Sequence, residues 1–324
     1  MTTCGRPRVT DIPELRAAQH CRIIPPFAPD AGGFDGQTRI LAEMVGAQAA
    51  SLDDLIGPEP CAFVVCTTVT TSALDSITAN NALFFDEIER ICGRRPCGIL
   101  HSYMCAGWGF AMRFFARHSD VRQLLIAIVD VDHHDFTYHR GQAAIGRNGF
   151  GVSAILVRLP ENRATAVAEG PYPESAFKEF VRAIRAKFAE GGGRKTFIPF
   201  FRGELAAIAE KMVGADLLGV NRNAEYGHCF GADTWIGIIE WLDSDPPAAA
   251  HRVMAGAVAF NGYFTISDFL VLPDMPRLFH TVDGAVASLR QGVSCIREWA
   301  VARGAIGAPT SRRSPSEAVV PCTI

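Results

Sequence analysis

Cys105 lies in "ILHSYMCAGWGFAMRFFARH", between a short apolar run and a helical pattern, and His228 lies in "AEYGHCFGADTWIGIIEWL", a second turn that feeds a helix. A thiol becomes a strong nucleophile once ionised, and a helix start helps, because about half a positive charge sits at a helix N-terminus. A histidine within reach could take the thiol proton and return it to a leaving group. The two residues therefore define a possible Cys/His nucleophilic pair. The alternative is structural: free cysteine is among the most buried residue types, and His228 could be a hydrogen-bonded core imidazole.

The elements that would position them follow from hydrophobic period. "CAFVVCTTV", "CGILHSY", "QLLIAIVDVD" and "GFGVSAILVRL" read as strands, with "ALFFDEIERICG" a helix stopped by its glycine. The second half repeats the rhythm: "SAFKEFVRAIRAKFAEGGG" as a helix, "KTFIPFF" as a strand, "GELAAIAEKMVG" as a helix, then "AGAVAFNGYF" and "SDFLVLP" as strands. Strands alternating with helices predict an α/β fold with mostly parallel sheets. Trp108, Ala111, Met112 and Phe115 share one face of the helix after Cys105, and Trp235, Ile236, Ile239 and Leu242 share one face of the helix after the His228 turn. Both helices are apolar nearly all round, so both are expected to be buried. Two such units predict similar halves about a pseudo-twofold, with both helix N-termini aimed at one point. The halves are expected at residues 1–160 and 161–280. Val282, Val286, Leu289, Val293 and Ile296 predict an added amphipathic helix over 281–303, and the polar, proline-containing remainder 304–324 predicts a mobile tail.

Composition narrows the function classes. The 324 residues are 48% apolar, enough for a large core, and a net charge of −3 supplies no basic field for nucleic acid or an anionic membrane. Neither is expected as a partner. The N-terminus lacks the apolar stretch of a signal peptide, and no run reaches the ~20 apolar residues that span a bilayer, so a cytoplasmic protein is expected. Ten scattered cysteines in a chain of this size predict reduced thiols. The pairs Cys61 with Cys66 and Cys92 with Cys97 are spaced too widely for the usual zinc knuckle. "DVDHHDFTYHRG" brings Asp130, Asp132, His133, His134, Asp135 and His139 close in sequence and could ligate a divalent metal, but it reads as a polar loop after a strand. No metal is expected.

Four stretches carry a resemblance. "VVCTTVTTSALDSITANNALFFDEI" is similar to a strand, Thr-rich turn and helix of the thiolase superfamily, and "SYMCAGWGFAM" resembles that superfamily's nucleophile turn. "EYGHCFGADTWIGI" resembles its Tyr-Gly-Asn turn and helix, and "VAFNGYFTISDFLV" its closing hairpin, with Phe260, Gly262 and Thr265 in register. In order and spacing the chain most resembles the β-ketoacyl-ACP synthase III branch, over roughly residues 35–273. The resemblance implies a five-layer αβαβα thiolase-like fold of two pseudo-symmetric halves. It implies an acyl-enzyme at Cys105, with the backbone N–H groups of Cys105 and Gly262 as the oxyanion hole. The donor would be an acyl-CoA or an acyl carrier protein phosphopantetheine thioester, used as substrate, with no permanently bound cofactor. The protein would work as a homodimer or as a heterodimer with a homologous subunit, with an acyl carrier protein as a possible further partner.

The departures from that branch are specific. The histidine expected in "FIPFFRGEL", and an asparagine three residues later, are missing, and His228 stands where the branch has asparagine. The second catalytic cysteine of thiolases, due near Asn261 to Tyr263, is also missing. A Cys105/His228 dyad is left. In the resembled family the enolate left by decarboxylation of a malonyl thioester is held by two hydrogen-bond donors, and losing one such donor costs ~10²–10³ in rate. The sequence therefore favours acyl transfer to an amine, alcohol or carbanion, or a specialised condensation in secondary metabolism, over fatty-acid initiation. The alternatives are a non-catalytic or weakly active partner subunit of a heteromeric ketosynthase-like complex, and a cysteine hydrolase.

Overall fold

Residues that are apolar at every position of a strand need cover on both faces, and the chain supplies two sheets that have it. The computed structural model describes residues 12–70, 78–118, 120–132, 144–161, 166–172 and 174–303. The first half comprises β1 (Glu14–Ile24), α1 (Phe34–Ser51), β2 (Cys61–Cys66), α2 (Thr78–Cys92), β3 (Ile99–Leu100), α3 (Gly107–His118), β4 (Gln123–Asp130) and β5 (Phe150–Arg158). The second comprises β6 (Ala166–Glu169), α4 (Ala176–Gly191), β7 (Thr196–Phe197), α5 (Gly203–Val213), α6 (Asp233–Ser244), β8 (His251–Val258) and β9 (Phe264–Val271). A last strand and helix, β10 (Arg277–Asp283) and α7 (Val286–Ala302), follow.

The two halves repeat one topology. The first sheet runs β3-β2-β4-β5-β1, with β2 and β4 parallel and β5 antiparallel to both β4 and β1. The second runs β7-β8-β9-β6 with the same senses, and a single bridge from Thr196 to Leu218 stands where the first half has β3. Glu14 and Leu15 of β1 pair with Leu270 and Val271 of β9, which joins the two sheets into one hydrogen-bonded array.

Period-2 alternation sorts the side chains into layers. On the first sheet Phe63, Val65, Leu125 and Ala127 face outward against α1, α2 and α7, while Val64, Cys66, Leu124 and Ile126 face inward. On the second sheet Met254 and Ile266 meet α4 and α5, while Val253, Ala255 and Phe269 face inward. The inward faces enclose α3 and α6, whose Trp108 and Trp235 rings meet edge to face at 5.0 Å. The result is the five-layer αβαβα arrangement. Close approach at the centre requires Gly109, where a Cβ would fall 1.7 Å from Thr265 Oγ1.

Four expectations change. The sheets are mixed, not mostly parallel, because β5 runs antiparallel to β4 and β1, and β9 to β8 and β6. The segment from Thr281 begins as a strand, because Ala18–Ile24 offers β10 an open edge for seven parallel pairs, and the helix starts only at Val286. "KTFIPFF" yields a strand of two residues, Thr196 and Phe197; Pro199 follows closely and cannot donate to a ladder. The strand β1 and helix α1 had no place in the sequence reading. The tail 304–324, and His133, His134, Asp135 and His139, lie outside the described residues.

Candidate active site

Each central helix is entered through a 3₁₀ turn, Met104–Ala106 before α3 and Phe230–Ala232 before α6. Met104 (φ 46°) and Phe230 (φ 54°) open these turns in the left-handed region, a conformation that costs a non-glycine residue on the order of 1–3 kcal/mol. Cys105 and Gly231 occupy the matching second positions. The turns pack so closely that a Cβ on Gly231 would stand 3.4 Å from the Cys105 carbonyl oxygen.

This packing brings Cys105 and His228 together, with Sγ 3.9 Å from Nε2. On its other side the imidazole meets a carboxylate that sequence reasoning did not assign: His228 Nδ1 is 2.5 Å from Asp233 Oδ2. Cys105, His228 and Asp233 are 3%, 2% and 1% exposed. Asp233 opens α6, where its charge complements the helix dipole, and it is held by two backbone donors, Cys229 N at 2.6 Å and Phe200 N at 2.8 Å. The segment that lacks the expected histidine therefore contributes a backbone N–H to the acid behind His228. The only sequence signal for Asp233 was its place in "GHCFGAD".

Burial is the largest influence on His228 and pushes its pKa down, but the charge and hydrogen bond of Asp233, with smaller help from Cys105, outweigh it and carry the pKa up from 6.5 to about 10. A folded pKa above the unfolded one means stability that is complete below about 6.5 and lost as pH rises through about 10. Thermal melts should therefore show falling Tm across that window, and His228→Gln should flatten the fall; an equal slope in both proteins would exclude His228 as its source.

Beneath the sulfur, Thr67 to Thr70 form a buried turn after β2. Asp130, the last residue of β4, accepts from Thr68 N at 2.5 Å and Val69 N at 3.0 Å through one oxygen. Burial raises its carboxyl to about 6 against the pull of those donors. The Thr68 hydroxyl lies 3.8 Å from Cys105 Sγ.

Gly262 sits in the turn between β8 and β9, which Asn261 ties to the nucleophile turn through Nδ2 and the Ser102 carbonyl at 2.7 Å. The Gly262 N–H donates to the Ala259 carbonyl at 3.0 Å, so the hairpin uses it to close itself. Met104 N and Ala106 N donate to the carbonyls of His101 and Tyr103. Among the described residues no cluster of three or more His, Cys, Asp or Glu could hold a metal, no helix is long and apolar enough to cross a membrane, and the eight cysteines are free thiols.

No protein-family model matches the chain, and no curated protein matches it. Solved structures do. The acyltransferase ChlB3 superposes with a TM-score of 0.58 at 11% identity, over 81% of this chain and 98% of that one. The priming β-ketosynthase of the R1128 polyketide pathway gives 0.56 at 11%, over 82% and 97%. AbyA1, a tetronic acid condensing enzyme, gives 0.52 at 15%, over 78% and 98%. With two repeats of one topology around paired central helices, the chain has the thiolase-like fold shared by these solved structures.

Proposed function

We propose that the protein is a cysteine-dependent acyltransferase or ketosynthase III-like condensing enzyme that accepts an acyl group on Cys105 from an acyl-CoA or carrier-protein thioester. The supporting observation is the line Cys105 Sγ, His228 Nε2, His228 Nδ1, Asp233 Oδ2, a nucleophile, a base and a group that orients the base. His228 moves the proton of the Cys105 thiol to the departing thiolate, and Asp233 fixes the ring so that Nε2 faces the sulfur. A partner subunit without chemistry has no use for a buried carboxylate aligned behind an imidazole, which favours the enzyme. Solved neighbours named as an acyltransferase, a condensing enzyme and a priming ketosynthase fit the same class. The acyl group then passes to a nucleophilic acceptor, in a cytoplasmic dimer serving secondary metabolism.

Intact-protein mass spectrometry after incubation with short and medium acyl-CoA and acyl-carrier donors should show one added acyl mass, mapped to Cys105 and lost in Cys105→Ala. His228→Ala should slow its appearance by ~10²–10⁴. A folded parent that gains no adduct from any donor would reject the reading.

A further inference from the structure

Attack of a thiolate on a thioester drives the carbonyl electron pair onto oxygen, and that oxygen must be met by donors already in place. The resemblance supplies two backbone donors, yet here one of them, the Gly262 N–H, is bonded to Ala259 within its own turn. A different donor stands beside the sulfur. Thr68 is buried, its hydroxyl has Cys105 Sγ as its partner at 3.8 Å, and that contact is long enough to be exchanged for a better acceptor. A hydroxyl hydrogen rotates to suit what approaches it.

The position of Thr68 is fixed from below. Its N–H and that of Val69 are both bound by Asp130 Oδ1. Thr67 Oγ1 accepts from Thr70 N at 3.1 Å, and Thr70 Oγ1 donates to the Val129 carbonyl at 2.9 Å while accepting from Val131 N at 3.0 Å. The turn is thus clamped to the end of β4 on both sides of Asp130. The oxyanion of an adduct on Cys105 would be two bonds from Sγ, within reach of a donor held at that distance.

We propose that Thr68 is a catalytic residue, its hydroxyl donating to the oxyanion formed on Cys105 together with the Cys105 N–H. The proposal rests on the acyl-enzyme reading above. In the step it serves, a bond forms between Cys105 Sγ and the thioester carbon, and the C=O π pair moves to the oxygen facing Thr68. On collapse that pair re-forms the C=O, the bond to the donor sulfur breaks, and the departing thiolate takes the proton that His228 removed from Cys105. Thr68 keeps its own proton throughout.

Thr68→Val preserves shape and removes the hydroxyl, whereas Thr68→Ser keeps it. Single-turnover acylation with an acyl-CoA that labels the parent should fall by ~10²–10³ in Thr68→Val and stay within about tenfold of the parent in Thr68→Ser. Alkylation of Cys105 by iodoacetamide builds no oxyanion and should change by less than about threefold in either variant. If the valine protein does not fold, Thr68→Ala is read against Thr68→Ser with the same expectation. Parental acylation in the variant lacking the hydroxyl would overturn the proposal, as would alkylation falling in step with acylation, since Thr68 would then act on the sulfur alone. A parent that never acylates would reject both this role and the acyl-enzyme reading, whereas failure of this role alone shows only in the variants.

Discussion

Asp233→Asn should lower the rate of Cys105 acylation by ~10³–10⁴ while the chain stays folded. The carboxylate accepts from two backbone donors, Cys229 N and Phe200 N, and stands 2.5 Å from His228 Nδ1 as its ion-pair partner. An amide can replace only part of that. If its oxygen stays on Cys229 N at the Oδ1 position, its NH₂ takes the Oδ2 position, faces both Phe200 N and Nδ1, and forces the imidazole proton onto Nε2. An Nε2 that carries the only ring proton can donate to Cys105 but cannot accept from it, so the base is lost through the wrong tautomer. Asp233 is a positioning residue, and the test must separate that from plain support. The pH dependence of Cys105 alkylation does so, because loss of the carboxylate should move its midpoint upward, whereas a packing defect would lower Tm and leave the midpoint in place. Acylation within about threefold of the parent, at an unchanged alkylation midpoint, would remove Asp233 from the machinery.

The proximity of Cys105 to His228 was legible because both residues precede apolar, helix-forming segments, and repetition of that pattern implies repetition of geometry. Asp233 was equally visible in "GHCFGAD", but an acid at a helix start has an ordinary use there, neutralising the dipole. The turn that carries Asp233 past His228 opens with a left-handed backbone at Phe230, and no sequence rule assigns φ of 54° to a phenylalanine. The alternation of Leu278, His280 and Val282 was hidden for another reason. A half-exposed strand at a sheet edge carries only a weak period-2 signal, and Val282 also fits the helical spacing that follows it. Long, fully buried strands such as Gln123–Asp130 were read almost to the residue, since their continuous apolar runs leave little else to form.

A second large effect is expected in a reaction the protein should scarcely perform: acylated enzyme supplied with a malonyl thioester should release CO₂ at least ~10²–10³ more slowly than a routine initiating ketosynthase. Loss of CO₂ leaves an enolate whose charge needs donors in place before it forms. In the segment where the resembled branch carries a histidine, this chain has Phe200 and Phe201, both buried. Nor can that segment readily bring in a polar group from elsewhere, because Phe200 is fixed at both ends of its peptide unit: its N–H is bound by Asp233 Oδ2 and its carbonyl by Asn223 Nδ2 at 2.7 Å. His228 is the one imidazole bonded to Cys105 among the described residues, and its Nδ1 is committed to Asp233. A single ring would then have to serve the sulfur and the enolate in the same turnover. Transfer to an amine, alcohol or stabilised carbanion makes no such demand, since the acceptor brings its own electron pair. Radiolabelled malonyl-CoA and malonyl-carrier protein, offered to enzyme already acylated on Cys105, read the difference directly as released CO₂. Rapid release that depends on Cys105 would return the chain to the decarboxylating class and require a second donor among residues other than Phe200 and Phe201.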